Sequence, residues 1–249
     1  MRRVTGIGGI YLKSREPQAA VALPRRPSLH AGLQAGVNSL RGLLIVVFLV
    51  SPAVSRAQTR LLPVDQAASV PDFFSFRAQL QVAVARRDVQ AVVSALSRDV
   101  KLSFGGDEGV DAFHRLWKPS APDSRLWEAL AAVLALGGTF STDGSFTAPY
   151  VFATWPRDKD AFTHMAAIGT NIRVRSAPST SAEVIEALDY AIVESVDGQA
   201  GDAQWVQIRL SPKQTGFVDG RFLRSPIDYR INFARRDGRW QIVFFVAGD

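Results

Sequence analysis

The chain contains no cysteine. That excludes disulfides, cysteine nucleophiles and thiolate-held metals, and it excludes a lipid anchor built on a cysteine behind a leader. Histidine is almost as scarce. Of three in 249 residues, only His114 and His164 fall beyond residue 57. No ligand spacing joins either of them to a second metal-binding side chain, so the sequence implies no metal and no cofactor. A serine nucleophile elbow of the Gly-x-Ser-x-Gly type is missing too. The strongest apolar run, LLIVVFLV at 43–50, falls well short of the roughly 20 residues a spanning helix needs.

What stands around that run explains it better. Arg41 precedes it, Pro52 and Ala53 follow, and Ser55-Arg56-Ala57 offers small residues at the −3 and −1 positions of a cut before Gln58. A basic flank, a short apolar core and a small-x-small site describe a secretory signal peptide. The expectation is a periplasmic or secreted protein cut after Ala57, meeting the membrane only through this leader. Forty residues upstream of the apolar core is unusual for a leader. A start at Val37 would give VNSLRGLLIVVFLVSPAVSRA, of ordinary length, with residues 1–36 a start-site artefact or an extension with no packed core.

The leader also carries the charge. The full chain is formally +6, but residues 1–57 hold eight Arg and Lys against one acid, Glu16. The remaining 192 residues have 21 basic and 22 acidic side chains, a net charge of −1. No basic patch is left to argue for nucleic acid as a partner.

Beyond a polar lead-in at 58–70, Phe73, Phe76, Leu80 and Val84, then Val89, Val92, Val93 and Leu96, recur at three and four, the period of packed helices. Pro71 and Asp72 suit a helix start, and Asp88 a second cap. VKLSF at 100–104 reads as a strand broken by Gly105-Gly106. Val110, Phe113, Leu116 and Trp117 make another helical face. SRLWEALAAVLAL at 124–136 is a helix stopped by Gly137-Gly138, and FTAPYVFATW at 146–155 reads as extended.

From about 164 to 225 the pattern changes to short strands divided by turns. In NIRVRSAPST, Ile172 and Val174 alternate with Arg173 and Arg175 before a Ser-Ala-Pro-Ser turn. QWVQIRL sets Trp205, Gln207 and Arg209 against Val206, Ile208 and Leu210. The ordered landmarks Arg173-Val174-Arg175-Ser176-Ala177-Pro178-Ser179, Trp205-Val206 and Gly216-Phe217-Val218 resemble the bacterial SH3-like domain. Arg173 stands where that family usually has Asn, and Ala177 where it usually has Gly. The resemblance implies a small β-barrel that binds cell-wall peptidoglycan or an envelope peptide or protein, without chemistry of its own. Tyr190, Trp205 and Phe217 could offer flat faces to such a ligand, and Arg173 and Arg175 could meet its carboxylate. The bland reading keeps the aromatics in the core and the arginines in solvent.

The chain ends in YRINFARRDGRWQIVFFVAGD, with Asp237-Gly238 as a hairpin turn. Tyr229, Ile231, Phe233, Trp240, Ile242 and Phe244 would share one side, and Val243 and Phe245 the other. So apolar a hairpin cannot stand alone in water, and the helices of 72–136 are the available cover. The expected architecture is α+β: a discontinuous domain of 58–156 with 226–249, and an inserted barrel at 164–225. Two helices leading into a strand, with the terminal DGRWQIVFF, weakly resemble the nuclear transport factor 2-like cone fold, whose members include pocket enzymes and binding modules.

That resemblance supplies the alternative function: a small-ligand carrier or enzyme using a pocket in the cone-like domain, with the barrel as targeting module. Asp99, Asp107, Glu108, Asp111 and His114 are its acid–base candidates, although such residues mostly serve as caps, turns and surface charge. Gly105-Gly106-Asp107-Glu108 opens like the diguanylate cyclase signature, but Gly109 stands where Phe is expected, and it reads as a loop.

Overall fold

A computed structural model describes residues 59–198 and 203–248; the expected leader and its cleavage site lie outside them. Among the described residues no helix is long and apolar enough to cross a membrane. The fold is mixed α+β, with two sheets and few helices.

The first region opens with helix α1 (Pro71–Ala85), where Pro71 sits in the first turn behind an extended Val70. Phe73, Leu80, Ala83 and Val84 face the core, and so does Arg77, at 6 % exposure. The apolar period alone places Phe76 there, and Phe76 is only half-buried. Arg77 can be buried because Asp65 takes both of its Nη atoms, at 2.8 and 2.6 Å, while its guanidinium lies 5.8 Å from the Phe146 ring centre. Arg87 turns left-handed (φ 52°), and Asp88 caps helix α2 (Val89–Ser94) by accepting from Ala91 N at 3.0 Å.

The chain then becomes extended earlier than its apolar pattern suggests. Strand β1 runs Leu96–Lys101, in parallel register with the end of the chain. Leu96 opens this strand and does not continue α2. Ser103 ends the extended run by folding a turn over itself, its Oγ accepting from Gly105 N and Asp107 N. Helices α3 (Gly109–Trp117) and α4 (Leu126–Leu134) follow. Gly137 and Gly138 do more than stop α4. A Cβ on Gly138 would lie 2.1 Å from Thr147 O, and one on Gly137 would lie 2.7 Å from Val64 O. Both neighbours press directly on the backbone. The stretch 146–155 is extended only as β3 (Phe146–Ala148), which pairs with β2 (Thr139–Phe140). After the cis Ala148–Pro149 bond it becomes helix α5 (Tyr150–Ala153).

The C-terminal hairpin, β11 (Arg230–Arg236) and β12 (Arg239–Val246), closes this sheet in the order β1-β12-β11-β3-β2. Asp237 and Gly238 both have positive φ, as a tight hairpin turn requires. A bulge between Asn232 and Phe233 shifts the register. It puts Ile242 and Phe245 together in the core and leaves Phe244 exposed, so strict alternation fails at that point. Phe73, Phe113, Phe146, Phe233 and Phe245 fill the interior beside Trp127, with Trp117, Phe140 and Trp240 packed against them.

The second region, 164–224, is a seven-stranded sheet. Its strands are β4 (His164–Ala167), β5 (Ile172–Arg175), β6 (Val184–Leu188), β7 (Ile192–Ser195), β8 (Trp205–Ser211), β9 (Gln214–Asp219) and β10 (Leu223–Arg224). Their order is β10-β4-β7-β8-β9-β5-β6. All seven contribute to one cluster that includes Met165, Val174, Leu188, Val193, Ile208, Val218 and Leu223. Every buried member of that cluster is aliphatic.

The polar lead-in joins the two regions as a strap. Thr59 O accepts from Ile192 N at 2.8 Å, and Leu61 N donates to Tyr190 O at 2.7 Å. A few residues on, Gln66 N donates to Gly138 O at 2.9 Å, and Gln66 Oε1 accepts from Phe140 N at 2.8 Å. Leu61 is buried with Tyr150, Val151, Ala166 and Ile192, a small cluster shared by both regions.

Candidate functional site

The alternation of β5 decides which side chains leave the second core. Ile172 and Val174 are buried, Arg173 is exposed and Arg175 half-buried. On β8, Val206 and Ile208 point inward and Trp205 is left half-buried. Arg173, Arg175 and Trp205 line one groove of about 560 Å³ together with Thr180, Arg221 and Phe222.

The three arginines of this groove are not equivalent. Arg175 donates through Nη1 to Ala182 O at 2.7 Å, bracing the loop between β5 and β6. Arg221 grips Asp219 with Nε at 3.0 Å and Nη2 at 2.7 Å. That hydrogen-bonded guanidinium holds the Asp219 carboxyl below the usual carboxylate range, against the opposing effect of its own burial. Arg173 is held in the ladder opposite Ala187 of β6, and its guanidinium has no hydrogen-bond or ion-pair partner among the described residues. It is therefore the cation free to take a carboxylate beside Trp205.

Two other residues singled out in the sequence stand apart. Phe217 is in register with Arg175 and with Gln207, half-buried, and does not line the groove. Tyr190, with φ 51°, faces the strap: its N donates to Gly169 O and its O accepts from Leu61 N. Arg221 and Phe222, which the sequence reading left out, come from a 3-10 turn (Gly220–Phe222) capped by Asp219. Phe222 is 46 % exposed. The capping Asp-Gly pair at 219–220 was the available signal.

In the first region, Asp99, Glu108, Asp111 and His114 are exposed. Asp107 is tied to Ser103 Oγ at 3.0 Å and to Arg115 Nη2 at 3.2 Å. Hydrogen bonding from Ser97 keeps Asp99 below its ordinary value, the reverse of what a general acid needs. Among the described residues no group of three His, Cys, Asp or Glu could hold a metal ion. Tyr150 is a different kind of polar group. Its hydroxyl is buried in the shared cluster with no hydrogen-bond partner among the described residues, and that burial, with a smaller effect from Tyr190, pushes its phenol up to about 12.

Comparison with protein-family models, curated protein sequences and solved structures gives no match to the chain.

Proposed function

We propose that this is an exported, non-enzymatic cell-envelope protein whose second region is an SH3-like barrel that holds peptidoglycan by a carboxylate of its stem peptide. The observation that carries the reading is Arg173, exposed and without an ion-pair partner among the described residues, in one groove with the aromatic rings of Trp205 and Phe222. A guanidinium takes a carboxylate with two parallel hydrogen bonds, and a neighbouring ring covers the apolar part of the residue that bears it. The aliphatic core supports the same reading, because none of the region's aromatics is needed to fill it. Barrel closure is supported by the single cluster to which all seven strands contribute, which a flat sheet cannot enclose. Export rests on the leader and Ala57 cleavage site read from the sequence.

The test is sedimentation with purified sacculi at low and high salt. Arg173→Ala should weaken binding roughly tenfold or more, the worth of one charge-assisted pair, with melting unchanged. Added salt should weaken binding by the unmodified protein. Arg175→Ala should instead lower stability by about 1 kcal/mol, through loss of its bond to Ala182 O. No sedimentation of the unmodified protein at low salt would remove the wall-binding reading.

A further inference from the structure

We infer that the glycan chain of the same wall polymer is also bound, in a cleft that continues from the Arg173 groove along helix α4. This rests on the peptidoglycan reading above. The Arg173 groove adjoins a second groove, of about 840 Å³, across Ile168, Asp219 and Arg221, which stand in the walls of both. The second adjoins a third, of about 500 Å³, through the shared walls of Glu128, Ala132, Arg224 and Asp228. The three form one path from Trp205 to Trp117. Trp117 is a rigid platform there, stacked on Phe245 with ring centres 4.8 Å apart.

The chemistry changes along this path. Beyond the Arg173 groove the wall carries Arg125, Arg221 and Arg224 against Glu128, Asp219 and Asp228. Arg224 is itself held, with Nη1 2.7 Å from Asp228 and Nη2 donating to Tyr229 O at 2.7 Å. A wall with three cations and three carboxylates exerts no net pull on a polyanion, which argues against nucleic acid or an acidic polymer. It presents planar donors and acceptors, of which Arg221 with Asp219 and Arg224 with Asp228 are fixed by one another. Such groups suit the neighbouring hydroxyls and amides of a neutral sugar chain, and Trp117 gives its ring faces a surface to lie on. An extended peptide is a poorer fit. β10, the sheet-edge strand at this cleft, is two residues long, too short a template for strand addition.

Two probes separate this inference from the reading it rests on: a neutral N-acetylglucosamine oligomer, which carries the hydroxyls and amides of the glycan without a free carboxylate, and the free stem peptide. The protein should bind both. Glu128→Ala and Ala132→Trp, which alter and fill the shared wall, should each weaken glycan binding by roughly tenfold and leave the stem-peptide affinity unchanged. Arg173→Ala should show the opposite pattern. An unchanged near-ultraviolet circular dichroism of the packed aromatics verifies that the first region, which carries both substitutions, is folded. If the stem peptide binds but the sugar oligomer does not, or if the oligomer binds equally well to both variants, the inference is overturned and the Arg173 site stands. If neither probe binds, both fall.

Discussion

The two regions fill their cores in opposite ways. In the first, Phe73 sits within ring contact of Phe146 at 4.4 Å, Trp240 at 4.8 Å and Phe233 at 5.4 Å, and the sheet closes on that cluster. In the second, the core is aliphatic, and Trp205 and Phe222 lie outside it. A phenylalanine inside a core is explained by the apolar area it buries. Phe222, 46 % exposed, buries little of its ring in either core. The first core therefore depends on aromatic rings and the second does not.

Removing the hairpin should have the largest effect. A chain ending at Ser225 loses β11 and β12, with Ile231, Phe233, Ile242 and Phe245 from the first core. It should lose the near-ultraviolet circular dichroism of the packed aromatics. A truncated chain that keeps that signal and melts with the same cooperativity would break the comparison. Next comes the direct contrast of two rings. Phe73→Ala should cost about 3–5 kcal/mol in urea unfolding, whereas Trp205→Ala should cost under about 1 kcal/mol and reduce sacculus binding. Equal costs would mean that Trp205 is a core residue after all.

Asp65→Asn tests the strap. It leaves Arg77 buried beside a neutral partner, and should cost about 2 kcal/mol, less than for a fully buried pair because Asp65 is half-exposed. The smallest effect should be at Tyr150, at the seam between the regions. Its native phenol is raised to about 12 from an ordinary 10.0, so the unfolded chain loses this proton first. The stability linked to the group is full below pH 10 and falls as the pH rises through 12, by at most about 3 kcal/mol. Tyr150→Phe should abolish that alkaline slope and change stability at pH 7 by no more than about 1 kcal/mol, since the hydroxyl it removes has no hydrogen-bond partner among the described residues. A slope that persists in the variant would assign it to another group.

How much of this was legible in the sequence depended on the range of the interaction. The alternations in β5 and β8 are local, so Arg173, Arg175 and Trp205 could be placed on the outer face from residues 172–175 and 205–210 alone. The Asp88 cap and the Asp237-Gly238 turn were readable for the same reason. The strap was not, because Leu61 and Gln66 take their partners from Tyr190 and Gly138, far along the chain. Nor was the start of β1. Ser97, Arg98 and Asp99 carry no strand signal, and the strand is set by its two ends, where Leu96 and Lys101 pair with Ile242 and Phe244 of β12. The bulge that exposes Phe244 breaks the period on which the reading relied. Phe222 and Arg221 escaped because a 3-10 turn has no apolar alternation to mark an outward face. The Arg77–Asp65 pair escaped because nothing local distinguishes a buried arginine from a solvated one.

The parallel pairing of β1 with β12 has a consequence for the order in which the protein can form. Synthesis delivers Leu96 and Val100 early and Ile242 and Phe245 last. Until the final residues emerge, α1 to α4 have no sheet on which to close. The segment from His164 to Arg224 has no such wait, since all seven of its strands fall in one stretch of the chain and share one core cluster. Shorter loops cost less entropy to close, so the middle of the chain gains its structure before either end. A nascent chain halted between Arg224 and β12 therefore carries the strands of one complete sheet together with apolar helices still in search of cover, a state exposed to aggregation or to a chaperone.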